Sequence, residues 1–226
     1  MRVVIGSAFR NSAGRQITRW MDQVCAARSY FKSDIVRAIA VEGDSTDGTR
    51  RQLVSAAANK GLQLDLRTYN HGGPTYGSVE SDSRMAALSM VGNEILRGVT
   101  PADDILIYVE SDLIWDPRTI SKLIGHVRRG VCDVVAPLIF AGDHFYDVWA
   151  FRKDGARFSP FPPYHSGLDP YNLTDVDSAG SCLVMTGLAA RTVRMSRGAL
   201  VEWCNNARGL GFTIKVDPTS RITHPA

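Results

Sequence analysis

The sequence predicts an α/β fold: a single domain whose mostly parallel central sheet is flanked by helices. Two observations predict it. In the first half, short apolar runs alternate with segments of helical periodicity, the pattern of parallel strands joined by right-handed crossovers. Several of these runs end abruptly in polar or acidic turns, and the carboxyl ends of strands are where open α/β sheets bind ligands. The organising stretch is ILIYVESDLIWDP, residues 105–117. A buried strand over 105–109 breaks into Glu110-Ser111-Asp112, and Asp116-Pro117 then opens a helix as N-cap and first helical residue.

The remaining elements follow in chain order. Residues 2–8 read as the first strand. After a polar turn at 10–14, a helical stretch runs to about Tyr30 with Ile17, Trp20, Met21 and Val24 on one face. A strand at 35–41 ends in Glu42-Gly43-Asp44-Ser45-Thr46-Asp47-Gly48-Thr49, and the next helix stops at Lys60-Gly61, a basic residue before a glycine. A strand at 62–69 and a His71-Gly72-Gly73-Pro74 loop lead to a helix over about 78–97, with Glu80 and Asp82 placed in its first turn. The helix opened by Asp116 ends at Arg128-Arg129-Gly130. Strands are expected at 131–139, with Pro137 near an edge or bend, and at 145–151. Residues 152–172, rich in Pro, Gly and Tyr, read as a long loop. A glycine-hinged strand at 176–185, a helix at 199–208, a strand at 212–216 and a terminal Arg221-Ile222-Thr223-His224 complete the chain.

Composition narrows the function classes. The 226 residues, 44% hydrophobic and 22% charged, suit one globular domain with a substantial core. No apolar run approaches about 18 residues, so no membrane-spanning helix is expected, and Arg2-Val3-Val4-Ile5-Gly6 does not read as a leader; the expected location is cytoplasmic, in a bacterial or phage-infected cell. Cys25, Cys132, Cys182 and Cys204 show no Cys-x-x-Cys spacing and read as reduced thiols. A net charge of +3 permits a polyanionic partner without demanding one. The arginine and lysine groups at 128–129, 152–157 and 191–197 read first as solvated faces.

Residues i and i+2 of an extended chain point the same way, so Glu110 and Asp112 are able to converge on one cation; the same triplet also suits a plain strand-end turn. Glu42 and Asp44, at another strand end, are placed to accept hydrogen bonds from ribose hydroxyls or a base N–H, although a capped helix start reads equally well. The Asp44-x-x-Asp47-Gly spacing lacks the remaining ligands of a calcium loop. Tyr146, Asp147 and Trp149 alternate along the expected 145–151 strand and offer either stacking surface for a sugar or ordinary strand packing.

VEGDSTDGT followed at the observed distance by YVESDL resembles the nucleotide-binding strand end and the Asp-x-Asp motif of GT-A glycosyltransferases. SRMAALSMVGNEIL before the acidic triplet, the PRTI helix start after it and DVVAPLIF beyond are similar to fungal mannan-polymerase mannosyltransferases. Glu42 and FYDVWAFRKDG are similar to capsule-type mannosyltransferases. DVDSAGSCLVM and WCNNARGLGFTIKVDPTSRITH resemble the back half of GT-A enzymes, so the match covers most of residues 3–224.

The resemblance implies a Rossmann-like GT-A fold, with a donor half over 1–112 and an acceptor half over 113–226. It implies a metal-dependent transfer of sugar from a UDP- or GDP-sugar, UDP preferred, to a hydroxyl. Asp112 with Glu110 would hold Mn²⁺ or Mg²⁺ and His224 would complete the shell; Glu110, longer than the family's aspartate, has a second reading as a ribose ligand. Phe9, Arg10, Arg84, Ser111, Gly180 and Ser181 would line the donor, with guanidinium groups on the diphosphate. Arg84 has a second reading as a helix-surface ion pair, and Gly180-Ser181 as a packing bulge. Glu202 and Asp177 are the candidate catalytic bases if transfer inverts. Tyr146, Asp147 and Trp149 would meet the acceptor. Phage glycosyltransferases encoded beside TET-like dioxygenases are similar in size and type, which makes 5-hydroxymethylcytosine in DNA the expected acceptor. A glycan or lipid-linked acceptor, and a non-catalytic nucleotide- or carbohydrate-binding module, are the alternatives.

Overall fold

The computed structural model describes residues 1–31, 35–77 and 80–225. In chain order the elements are β1 (Arg2–Phe9), α1 (Arg15–Tyr30), β2 (Ile35–Glu42), α2 (Thr49–Asn59), β3 (Leu64–Thr68), α3 (Asp82–Arg97), β4 (Ile105–Val109), α4 (Pro117–Arg128), β5 (Val134–Ala141), β6 (His144–Phe145), β7 (Arg152–Lys153), β8 (Ala156–Arg157), β9 (Thr174–Asp175), β10 (Cys182–Thr186), α5 (Gly187–Thr192), α6 (Ala199–Gly209) and β11 (Ile214–Thr223).

A nine-stranded sheet runs in the order β3-β2-β1-β4-β10-β5-β11-β9, with β6 added beside β5. The first four strands are parallel, and β11 runs parallel to β5. β10 is antiparallel to both β4 and β5, so it returns the chain between two strands whose carboxyl ends point the same way. β4 is buried along its whole length, as its uninterrupted apolar sequence requires of a strand covered on both faces. α1 packs against α2 and α4, and α3 against α5 and α6. Neighbouring residues of β1 serve the two layers: a Cβ on Gly6 would strike Ile95 of α3, whereas Ser7 accepts a hydrogen bond from the Trp20 indole of α1 at 2.8 Å.

Local signals account for the helix starts. Asp116 accepts from the Arg118 amide at 2.7 Å with Pro117 at the first helical position. Ser81 caps α3 through the Arg84 amide, so the helix begins at Asp82; Glu80 lies before it, outside the first turn, and the expected start at Ser78 lies outside the described residues. Asp47 accepts from the amide and hydroxyl of Thr49 ahead of α2, and these hydrogen bonds, led by the Thr49 hydroxyl, hold its carboxyl below the usual range.

Several expectations are corrected. Of the expected 145–151 strand only Phe145 lies in a strand, β6, and a turn follows, because Asp147 accepts from the Ala150 amide at 3.4 Å and the Phe151 amide bonds back to the Asp147 carbonyl. The burial alternation continues from Phe145, which pairs with Phe140 of β5, to Asp147, which lies beyond the strand. The strand expected from 176 begins only at Cys182, since Ser181 sits at φ 54 and breaks the extended run. The 152–172 loop contains the β7–β8 hairpin, and residues 187–192, unassigned from sequence, form α5 under a Thr186 cap. The segments at 212–216 and 221–224 belong to one bulged strand, β11. Asp217 holds the bulge, accepting from Thr219 and Ser220 and pairing with Lys122 at 2.8 Å. The register shift falls beside Pro137, which has no N–H to offer a regular ladder.

The Ser7 hydroxyl also donates to the Val109 carbonyl at 2.6 Å, joining β1, β4 and α1 in the core. Ser7→Ala leaves a buried indole N–H and carbonyl unpaired and is expected to lower the unfolding free energy by about 1–3 kcal/mol in urea denaturation.

Candidate functional site

The carboxyl ends of β1, β2 and β4 open into three adjoining clefts. The first, about 610 Å³, is lined by Arg10, Glu42, Asp44, Thr68 and Asn70. The second, about 290 Å³, lies between Phe9, Arg10, Tyr69, Tyr76 and Arg84. The third, about 300 Å³, is lined by Arg84, Glu110, Tyr146, Asp147, Trp149 and Ser181. Arg10 is common to the first two, and Arg84 and Leu88 are common to the last two. The clefts therefore adjoin one another across the strand ends, with a guanidinium group at each boundary.

In the first cleft Glu42 is buried, with its carboxylate 3.9 Å from Arg50. Asp44, at φ 55, accepts from the amides of His71 and Gly72. Arg10 donates to the carbonyls of Gly73 and Pro74 and contacts His71 at 3.1 Å, so the loop after β3 is strapped over the strand ends. Phe9 packs edge-on against Trp20 and lines the second cleft.

The acidic segment is clamped on several sides. The Glu110 amide donates to the Ser181 carbonyl at 2.8 Å, Ser111 donates to the Ala8 carbonyl at 2.7 Å and accepts from Gln16, and Arg19 donates to the Asp112 carbonyl. The Ser111 hydroxyl is thus engaged in orienting the segment. Asp112 Oδ2 lies 3.4 Å from His224 Nε2, while Asp112 Oδ1 is buried without a hydrogen-bond partner among the described residues. Tyr146 stacks on the His224 ring at 3.8 Å between centroids and fixes its plane. Glu110 turns instead toward the Ser181 hydroxyl, which donates to Asp147 Oδ2 at 2.7 Å. Burial, with the charges of Asp112 and Asp147 adding to it, pushes the Glu110 carboxyl up to about 8, and burial likewise raises Asp147. Gly180 belongs at this wall: a Cβ there would stand 2.4 Å from Ala150 and 2.7 Å from Asp147 Oδ2.

Among the described residues no three His, Cys, Asp or Glu side chains gather closely enough to form a metal cage by themselves. The pair of Asp112 and His224 nevertheless fits a hard divalent cation. A buried carboxylate oxygen without a donor is costly unless a cation meets it, and Mn²⁺ or Mg²⁺ takes few protein ligands when phosphates and water supply the rest.

The structure thus gathers Arg84, Glu110, Tyr146, Asp147, Trp149, Gly180 and Ser181 around one cleft, with Asp112 and His224 beside it. Asp177 pairs with Arg208 at 2.8 Å, and Glu202 accepts from the Gly198 amide at the start of α6; neither lines the cleft, to which α6 contributes Ala199 and Leu200. Sequence reasoning missed Glu80, which lines the cleft mouth and pairs with Arg157 of β8. The Asp154-Gly155 pair was the available signal for that hairpin, since both residues adopt positive φ and Asp-Gly favours such a two-residue turn.

No protein-family model matches the chain and no curated protein sequence does. Solved structures do. S. aureus TarS 1–349 in complex with UDP-GlcNAc has a TM-score of 0.65 at 15% identity, covering 100% of this chain and 59% of that one. The mannosyltransferase PcManGT from Pyrobaculum calidifontis, in complex with GDP-Man and Mn²⁺, has a TM-score of 0.64 at 15% identity, covering 98% of this chain and 56% of that one. The chain spans a little under three fifths of these two structures' length, and the likeness is one of fold: an α/β domain on a mostly parallel sheet.

Because the folded protein keeps a proton on Glu110 that the unfolded chain has released, stability falls as pH rises from the ordinary glutamate range through about 8. Urea denaturation of the metal-free chain between about pH 5 and about pH 8 is expected to show this decline, and Glu110→Gln to flatten it.

Proposed function

We propose that the chain is a metal-dependent glycosyltransferase that moves a sugar from a nucleotide-sugar to a hydroxyl acceptor. The observation that carries this reading is the buried Asp112 Oδ1, without a hydrogen-bond partner among the described residues, on a carboxylate 3.4 Å from His224 and beside the cleft lined by Arg84, Glu110 and Tyr146. The structures of like fold with UDP-GlcNAc, and with GDP-Man and Mn²⁺, support it. The leading alternative, a non-catalytic nucleotide- or carbohydrate-binding module, predicts no metal-dependent turnover.

In this reading the donor half, residues 1–112, takes the nucleoside at Glu42 and Asp44, where carboxylates accept from ribose hydroxyls or a base N–H. Arg84, at the junction of two clefts, orients the diphosphate. Asp112 and His224 would hold the cation, which supplies neutralisation of the charge that builds on the leaving diphosphate. Gly180 lets the backbone approach the sugar, and its missing Cβ is what leaves Asp147 in place. Glu110 shares a wall with Asp147 through Ser181, which favours a sugar- or ribose-facing role for it over a ligand role. The acceptor half, residues 113–226, brings Tyr146 and Trp149 to the same cleft. UDP is the preferred nucleotide, with GDP the other, and Asp177 and Glu202 stand as bases only if closure brings them to the cleft.

For the acceptor we retain 5-hydroxymethylcytosine in duplex DNA as the specific expectation, with a glycan or lipid-linked hydroxyl as the alternative. The basic cluster at 191–197 lends little to a DNA surface, since Arg191 and Arg194 are spent on backbone carbonyls. Transfer to hydroxymethylated duplex DNA tests it: product with a UDP- or GDP-sugar supports it, and transfer only to glycans or lipid-linked sugars overturns it. Among the described residues no helix is long and apolar enough to cross a membrane.

Donor hydrolysis with Mn²⁺ tests the activity itself. Asp112→Asn is expected to lower it by about 100-fold or more, and His224→Ala to raise the Mn²⁺ concentration needed for half-maximal rate by about 10-fold or more. Full turnover in Asp112→Asn would sink the assignment.

A further inference from the structure

The mouth of the third cleft carries an arrangement that the donor path does not use. Glu80 and Trp149 line this cleft but not the one that adjoins it through Arg84. The Glu80 carboxylate is held as a bound anion would be: Oε1 accepts from the Trp149 indole at 2.5 Å and from Arg157 Nη2 at 2.5 Å, and Oε2 accepts from Arg157 Nη1 at 3.1 Å. Arg157 thus presents its fork to a carboxylate contributed from 77 positions away.

The hairpin beneath it is built against its own electrostatics. Arg152 and Arg157 are direct cross-strand neighbours in a sheet of only two strands. Like charges opposite one another destabilise such a pair unless an anion lies between them. Burial and then Arg157 push the Arg152 pKa down, while Glu80 and Asp147 hold it up. Arg152 lies over the Trp149 ring at 5.4 Å, and its Nη1 is buried with no hydrogen-bond partner among the described residues. Arg157 and the Trp149 indole N–H therefore converge on one oxyanion, with Arg152 directly across the hairpin from Arg157 and over the Trp149 ring, and the protein fills the position with its own side chain.

We infer that Arg152, Arg157 and the Trp149 N–H form an anion subsite at the acceptor end of the cleft, occupied in the free protein by Glu80 and taken over by an oxyanion of the acceptor, a phosphodiester or a carboxylate. Its place at the acceptor end rests on the glycosyltransferase reading; the anion site itself does not. Self-occupation sets the affinity, because a ligand must displace Glu80 before it binds, and the apparent affinity falls by the fraction of molecules in which the site is free. The same competition rejects neutral acceptors, which give Arg157 nothing in exchange for its ion pair.

The test is a titration of the full chain with inorganic phosphate, and in parallel with dimethyl phosphate as a diester, followed by the Trp149 indole N–H resonance, identified from its loss in Trp149→Phe. Glu80→Gln, a change at an exposed position, is expected to bring the midpoint to about tenfold lower concentration than in the wild type. Adding Arg157→Ala to Glu80→Gln is expected to abolish the saturable shift. Equal midpoints in wild type and Glu80→Gln, or a double variant that still saturates like Glu80→Gln, would overturn the subsite. UDP and GDP titrations with Mn²⁺ distinguish the source of the anion. Midpoints within about twofold of wild type in Glu80→Gln support an acceptor group, whereas a shift as large as that for phosphate assigns the subsite to the donor diphosphate and overturns the acceptor claim. Failure of the glycosyltransferase reading shows separately, as absent donor hydrolysis, and leaves the phosphate titration unchanged.

Discussion

The position of the acidic segment after β4 is the constraint on which the site depends. A chain leaving a buried parallel strand must satisfy its backbone groups outside the ladder, and here it does so against three elements. Its Glu110 amide meets Ser181 ahead of β10, Ser111 meets Ala8 of β1, and Ile114 exchanges hydrogen bonds with Thr223 of β11. Side chains of α1 finish the task, with Arg19 and Gln23 donating to the carbonyls of Asp112 and Leu113. These bonds leave Asp112 little freedom, so its carboxylate is delivered to His224 with one oxygen buried and unanswered. Preorganisation of this kind, paid during folding, is what a cation site needs if charge is to be met without rearrangement.

The antiparallel return of β10 between β4 and β5 has a consequence for the neighbouring wall. It carries Gly180 and Ser181 to the carboxyl end of β4, where a left-handed Ser181 directs its hydroxyl to Asp147. Two carboxyls, Glu110 and Asp147, are thereby buried around one hydroxyl, and burial raises both. Such an arrangement weakens the fold as pH rises. The long segment after β6 then folds back so that Tyr146 braces His224 and Trp149 faces Glu80.

Much of the fold was legible because its signals are local. The cap at Asp116-Pro117, the Lys60-Gly61 stop, the apolar run of β4 and the helical face of Ile17, Trp20, Met21 and Val24 each announce themselves within a few residues. The strand end that carries Glu110 and Asp112 was legible for the same reason. Where the reading failed, the deciding contact was a specific hydrogen bond, near or far, that periodicity does not record. The alternation at 145–151 imitates a strand, but a strand needs a partner, and Asp147 finds Ala150 and Ser181 instead. Glu80 reads as a residue that favours a helix N-terminus; its hydrogen bonds to Trp149 and Arg157 span 69 and 77 positions.

By itself the sequence determined the order and type of most elements and the placement of acidic residues at strand ends, since periodicity and capping are encoded within single turns of chain. Only the tertiary structure decided which of those residues meet. It brought His224 to Asp112, left Asp177 with Arg208 and Glu202 with Gly198, and set Glu80 on Arg157. Those choices follow from sheet order, the bulge in β11 and the turn at Asp147, which place side chains from remote segments within hydrogen-bond reach, and a distance in space has no local signature in the chain.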